Sequence, residues 1–188
     1  MDNKNLILST TNEVEYHYNS EAGRIDIAGT ACHWYKENLN HEIVTDTSFD
    51  AFLGLYNNGK LSVVVNYEHN NDQIIGGIDK VNNESDGLWV DGHINTTIPY
   101  VRDCLLPLIE AKDLKSLSTE GFVLNGYNGI IEREDGSYIV KDMILTAVAV
   151  TSHPADWDAE FSVRNYIEEY KALKTPEEEV AKTKWYLI

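Results

Sequence analysis

Short apolar segments, each bounded by turn-forming residues, recur along most of the sequence and constrain its fold more than any other feature. The segment at residues 61–67 (LSVVVNY) is rich in β-branched residues, as expected of a buried strand. The segments at 74–81 and 88–94 predict two further strands, and the polar residues 82–87 predict a hairpin between them. Because many short strands alternate with few helices, we predict an α+β domain. It is built on a mostly antiparallel, strongly curved or closed β-barrel-like sheet with a few flanking helices.

Three segments with apolar residues at helical spacing interrupt or follow these strands. In the second of them Pro107, which has no N–H group, must kink or interrupt the helix. We expect Leu105 and Leu108 of that helix to pack on the sheet. The predicted helices cover residues 49–54, 97–112 and 155–173.

Length and composition fit one domain with a short appended segment. The 188 residues are 43% hydrophobic, which is enough to bury a core. We expect the domain to span residues 1–174, with an acidic linker and C-terminal end at residues 175–188. Cys32 and Cys104 lack CxxC spacing and are expected to be reduced thiols. The N-terminus does not look like a secretory signal, and no apolar run is long enough to predict a transmembrane helix.

The chain is strongly acidic, with a net charge of -16 from 31 acidic and 15 basic residues. Because such a surface repels phosphate groups, we expect it to bind neither nucleic acid nor membranes. The glycine-rich nucleotide-binding motifs and the metal-ligand spacings HExxH and CxxC do not occur. We therefore expect no metal and no cofactor.

Two residues in or beside predicted strands have side chains suited to hydrolysis. His69 follows the apolar run at residues 61–67, where the rigid end of a strand can hold a general base. Ser118 lies in a strand-like run before Gly121, and the backbone N–H of Thr119 is a candidate for part of an oxyanion hole. Taken alone, each has an ordinary structural explanation, as a histidine in a turn and a polar position on a strand.

The order of the motifs gives these two residues more weight. An apolar strand ends in His69, two glycine-containing strands follow, Ser118 lies in a later strand, and a final β run closes on Pro154-Ala155. This ordered set resembles the caudovirus prohead protease family, whose fold is related to that of the herpesvirus assemblin proteases. The resemblance extends from Gly29 to Ala159.

The resemblance implies a serine endopeptidase that processes scaffold and capsid proteins inside an assembling procapsid, in the host cytoplasm. In that family His69 would occupy the position of the base and Ser118 that of the nucleophile, and no cofactor is involved. A homo-oligomer is compatible with this reading. We expect Ser118 and His69 to lie on adjacent elements of one curved sheet, with their side chains facing each other.

The sequence departs from the family pattern at two places. Two residues separate Ser118 from Gly121, where the family usually has one. The usual third catalytic member is a glutamate seven residues before the proline, and that position is Ala147 here. The third member is therefore missing, unnecessary or replaced from elsewhere. Glu120, which shares a strand face with Ser118, and His153 are the candidates for a replacement, and a backbone carbonyl or a water molecule could orient His69 instead.

Two other functions are compatible with the sequence. A protein that kept the protease fold but lost activity, as Ala147 would allow, could serve in capsid assembly or scaffolding. A generic β-rich binding module would explain the motifs as chance matches. The presence of both His69 and Ser118 favours the active protease.

Overall fold

The computed structural model of the chain describes residues 15–19 and 23–163. This part of the chain is mainly β-structure, with few and short helices. The strands are β1 (Glu15–Asn19), β2 (Arg24–His33), β3 (Glu42–Val44), β4 (Val63–Tyr67), β5 (Asn70–Asn83), β6 (Gly87–Asn95), β7 (Ser116–Val123), β8 (Ile130–Glu132), β9 (Tyr138–Val140), β10 (Met143–Thr151) and β11 (Phe161–Val163). The helical segments are α1 (Asp50–Tyr56), a π-helical turn (Val101–Leu105), α2 (Leu106–Glu110) and a 3₁₀ turn (Gly126–Gly129).

The main sheet has the strand order β1-β2-β6-β5-β4-β10-β7, and β11 also pairs with β2. All of its pairings are antiparallel except that of β4 with β10, which is parallel. The sheet curves until the start of β7 meets the chain at residues 159–161, next to β2. A small second sheet contains β3, β9 and β8. The predicted α+β class with a strongly curved sheet is confirmed.

The two faces of the strands β4, β10 and β7 differ sharply in chemistry. One face packs into the apolar core, as the alternation of side chains along a strand requires. The core-facing residues are Val63, Val65, Leu117, Val148 and Val150. The opposite face contains small and polar residues, which are Asn66, Ser118, Glu120, Ala147 and Ala149.

The helix predicted over residues 155–173 is wrong for its described part. Residues 155–160 form no helix, and the chain then enters β11, which pairs with β2. Phe161 is fully buried opposite Gly29, where a Cβ atom would come within 2.5 Å of the Glu160 carbonyl oxygen. Tertiary packing against a glycine therefore overrides the helical spacing here. The rest of the predicted helix, like the expected boundary between residues 174 and 175, lies outside the described residues.

The helix predicted over residues 97–112 is shorter and less regular than expected. Its first turn is a π-helical one, in which the N–H of Leu106 donates to the Val101 carbonyl. The irregular turn ends two residues before Pro107, which has no N–H with which to continue the α-helical pattern. Leu105 is buried as predicted, but Leu108 is 38% exposed, so its predicted packing on the sheet is wrong. Leu106 and Ile109 face the core instead.

Candidate active site

His69 lies in the tight turn that joins β4 to β5. Tyr67 pairs with Asn70, which leaves Glu68 and His69 as the two central residues of a hairpin turn. Both have positive φ, 51° and 57°, as in a type I′ turn. The turn holds the His69 side chain 40% exposed at the edge of the face that contains Ser118.

The prediction that Ser118 and His69 lie on adjacent elements is wrong, because β10 lies between β4 and β7. Ser118 pairs with Ala149, and Ala149 pairs with Asn66, so the three residues form one row across the sheet. In the next row Glu120 pairs with Ala147. The small side chains of the two alanines leave space above β10, so that longer side chains from β4 and β7 can contact each other there.

Three side chains on or beside this face contact the carboxylate of Glu120. Its Oε2 is 3.2 Å from His69 Nδ1 and accepts a 3.1 Å hydrogen bond from the side-chain amide of Asn66. Its Oε1 accepts a 2.9 Å hydrogen bond from the amide of Asn71. Burial would raise the pKa of Glu120, but the hydrogen bonds from Asn66, Asn71 and His69 outweigh it and hold that pKa below its ordinary value. Glu120 is therefore ionised at neutral pH.

This contact favours one ring nitrogen of His69 for chemistry over the other. A carboxylate on Nδ1 favours the tautomer with its proton there, which leaves Nε2 as the basic nitrogen. Ser118 is only 4% exposed, and within the described residues its hydroxyl makes no hydrogen bond to His69 or to any other group. In the described residues, this part of the sheet thus combines an imidazole that contacts a carboxylate with a serine hydroxyl that has no hydrogen-bond partner.

The backbone of Thr119 lies at the free edge of β7. The N–H of Leu117 points away from β10, since it donates to the Ala159 carbonyl oxygen. By the alternation of N–H directions along a strand, the Thr119 N–H points the same way. Beyond the contact at residues 115–117, the described residues provide no strand to pair with this edge. An N–H next to Ser118 is thus free to donate to a ligand.

The structure does not bring His153 to His69. Its Nδ1 is 2.8 Å from the Ser152 hydroxyl oxygen, and Ser152 in turn contacts Glu68. Cys32 is also unsuited to chemistry, because burial raises its pKa to about 12. In the described part of the chain, no group of three or more His, Cys, Asp or Glu residues could hold a metal ion. Nor is any helix there long and apolar enough to cross a membrane.

The sequence reasoning missed the two amides that hold Glu120. Asn66 is fully buried, yet it belongs to the run of β-branched residues at 61–67. A polar residue inside such a run is a usable signal, because buried polar side chains need partners. Asn71 carried no comparable signal, since it lies in a cluster of turn-forming residues.

Comparisons with known proteins identify the family and the fold. The model of the caudovirus prohead serine protease family matches residues 12–173. The chain belongs to this family. The capsid assembly protease of bacteriophage T4 is similar in fold, with a TM-score of 0.54 and 14% identity over 68% of this chain and 81% of that one. A protease of Kaposi's sarcoma-associated herpesvirus, solved with a hexapeptide phosphonate inhibitor, is also similar in fold. Its TM-score is 0.50, with 12% sequence identity over 85% of this chain and 74% of that one.

No curated protein matches the chain. The family pattern has a glutamate at the position of Ala147, and the structure shows which residues surround that position. Ala147 is the cross-strand neighbour of Glu120, on the same face of the sheet. The carboxylate that contacts His69 therefore comes from the strand next to the one expected.

Proposed function

We propose that the chain is a serine endopeptidase in which Ser118 is the nucleophile, His69 the base and Glu120 the residue that orients the base. The observation that carries the proposal is the contact of the Glu120 carboxylate with His69 Nδ1, on the same face of the sheet as Ser118. In this role Glu120 replaces the carboxylate that the family pattern places at position 147. The exchange keeps a negative charge beside the imidazole, although it comes from a different strand.

The chemistry follows from these positions. His69 Nε2 takes the proton from the Ser118 hydroxyl as its oxygen attacks a peptide carbonyl. The imidazolium that forms is stabilised by ionised Glu120, and the Thr119 N–H donates to the oxyanion. The protonated His69 then gives its proton to the leaving amine, and water hydrolyses the acyl-enzyme in a second, similar step. A substrate in extended conformation fits the free edge of β7 beside Ser118.

We propose capsid and scaffold proteins as the substrates, cleaved inside the assembling procapsid in the host cell. Support comes from the membership in the prohead protease family and from the likeness to a capsid assembly protease. The alternative of an inactive scaffolding protein rested on Ala147, and the carboxylate of Glu120 beside His69 weakens that argument.

Substitution of Ser118 tests the proposal. Ser118→Ala should abolish cleavage of the co-expressed capsid and scaffold proteins and the covalent labelling of the protein by a fluorophosphonate. The melting temperature should hardly change, since the hydroxyl has no hydrogen-bond partner in the described residues. Ser116→Ala is the matched control, because Ser116 is a buried serine on the same strand and face. Equal cleavage by wild type and Ser118→Ala would refute the serine mechanism.

A further inference from the structure

The hairpin turn that carries His69 has an unfavourable sequence for its backbone. Type I′ turns have positive φ at both central residues, which is why asparagine and glycine are usual there. Glu68 and His69 occupy these positions instead, with φ of 51° and 57°. A left-handed conformation is unfavourable for a residue with a β-carbon, because that carbon comes too close to the following carbonyl oxygen. Such a conformation persists only where the surrounding structure determines it, and it is concentrated at functional sites.

Glu68 makes the contacts that hold the turn in this left-handed conformation. Its backbone N–H donates to the Val150 carbonyl oxygen at 3.1 Å. Its carboxylate accepts a 2.6 Å hydrogen bond from the Thr151 hydroxyl and hydrogen bonds of 2.9 and 2.8 Å from the N–H and hydroxyl of Ser152. These contacts are possible because β4 and β10 are parallel, so that both strands end at the same edge of the sheet.

The charge of the Glu68 carboxylate strengthens this attachment. Hydrogen bonds to an ionised acceptor are stronger than those between neutral groups. Burial would raise the pKa of Glu68, but the hydrogen bonds from Thr151 and Ser152 and the nearby His153 hold it below its ordinary value. The side chain is therefore ionised at neutral pH.

The strand to which Glu68 is attached is the one that separates His69 from Ser118. Ala149 of β10 pairs with Ser118 on one side and with Asn66 on the other. An attachment at residues 150–152 thus fixes the turn relative to the strand that also sets the position of Ser118. None of the hydrogen bonds of Glu68 among the described residues goes to the His69 ring. Glu68 therefore positions His69 through the backbone of the turn and not by a direct hydrogen bond.

We propose that Glu68 is a positioning residue, whose carboxylate holds the strained hairpin against the end of β10 and so sets the place of His69 relative to Ser118. This inference rests on the proposed function of Ser118 and His69. A misplacement of about 1 Å can lower a rate on the order of 100-fold. Loss of the attachment should therefore lower kcat much more than it affects substrate binding.

Glu68→Asn separates positioning from stability. Asparagine tolerates the left-handed conformation better than glutamate, but its side chain is one carbon shorter and uncharged. Because relief of the backbone strain partly offsets the lost hydrogen bonds, we expect a melting temperature close to that of wild type, a kcat lower by roughly 10- to 100-fold and an unchanged KM. Glu68→Gln keeps the length of the side chain and one acceptor oxygen, and its kcat should lie between that of wild type and that of Glu68→Asn.

The control relieves the same kind of strain elsewhere. Lys112 also has positive φ, 63°, and follows α2 far along the chain from the hairpin. Lys112→Asn should raise the melting temperature without a change in kcat. In NMR spectra the low-field signal of the His69 Nδ1 proton, hydrogen-bonded to Glu120, should be present in wild type and in Lys112→Asn but broadened in Glu68→Asn.

The outcomes distinguish this inference from the proposed function. If Ser118→Ala is inactive in the same assay while Glu68→Asn has the kcat of wild type, the role of Glu68 is refuted and the serine mechanism stands. If the loss of kcat in Glu68→Asn matches its loss of folded protein, Glu68 is structural only and the inference is also refuted. If Ser118→Ala is active, the proposed function itself fails.

Discussion

Two carboxylate–histidine pairs in this molecule look alike but have different surroundings. Glu120 contacts Nδ1 of His69 at 3.2 Å, and Asp156 contacts Nδ1 of His33 at 2.7 Å. Asp156 also accepts hydrogen bonds from the backbone N–H of His33 and from the ammonium group of Lys36. In both carboxyls burial would raise the pKa, and hydrogen bonds hold it below the ordinary value.

The difference lies in what else neutralises each carboxylate. Asp156 already has Lys36 as a cationic partner, and Lys36 also contacts Asp158. The other partners of Glu120 in the described residues are the neutral amides of Asn66 and Asn71. The charge of Glu120 is thus available to stabilise a proton on His69. A carboxylate–histidine pair alone does not define a catalytic site. The uncompensated charge of Glu120, and a Ser118 hydroxyl on the same face that has no hydrogen-bond partner among the described residues, are what favour the proposed site over the Asp156 pair.

The largest expected effect separates the two histidines. His69→Ala should lower kcat/KM by on the order of 10⁵-fold, because nucleophile and base act as a unit. His33→Ala should leave kcat/KM within a few-fold of wild type. Steady-state kinetics on a cleaved capsid or scaffold protein would measure both values. Equal losses in the two variants would mean that the Asp156 pair also takes part in the reaction.

A smaller effect separates the two carboxylates. Glu120→Ala should lower kcat/KM by about 10²- to 10⁴-fold, as loss of an orienting acid does in other triads. Asp156→Asn should instead lower the free energy of unfolding by about 1–3 kcal/mol, because it weakens hydrogen bonds to a buried charge. Urea denaturation and kinetics on both variants would test this division.

The exchange of positions sharpens that test. Ala147 is the cross-strand neighbour of Glu120, so the double variant E120A/A147E returns the carboxylate to the strand of the family pattern. We expect it to recover part of the activity lost in Glu120→Ala. Ala147→Glu alone would put two carboxylates opposite each other and should destabilise the fold. A double variant as inactive as Glu120→Ala would show that position 147 does not reach His69 in this chain.

The smallest effect is the dependence of stability on pH. Glu120 and Asp156 both have folded-state pKa values below the ordinary ones. Their stabilising contribution is therefore fully present above the unfolded-state pKa values and is lost as the pH falls through the lower folded-state values. Asp156→Asn should flatten the decline of unfolding free energy below about pH 4 more than Glu120→Gln does, because Asp156 is more buried. Identical slopes in wild type and both variants would contradict this.

The strands and the nature of the sheet could be read from the sequence because they depend on local alternation, as in residues 61–67. The contact of Glu120 with His69 was only half predictable. Its shared face with Ser118 follows from strand periodicity, but its contact with His69 depends on the insertion of β10 between β4 and β7. The helix predicted from residue 155 was wrong because it too depended on a contact distant in sequence. Phe161 is buried through the pairing of β11 with β2.

The position of β10 also has a consequence for the order of events during synthesis. The strand that forms the floor between Ser118 and His69 comes after both of them in the chain. A nascent chain that has emerged only as far as residue 140 possesses the serine, the histidine and Glu120 but nothing to hold them together. Because pairings between distant parts of a chain form slowly, this insertion is expected late in folding. The order of the strands thus delays assembly of the site until residues 143–151 have been made and have folded into place.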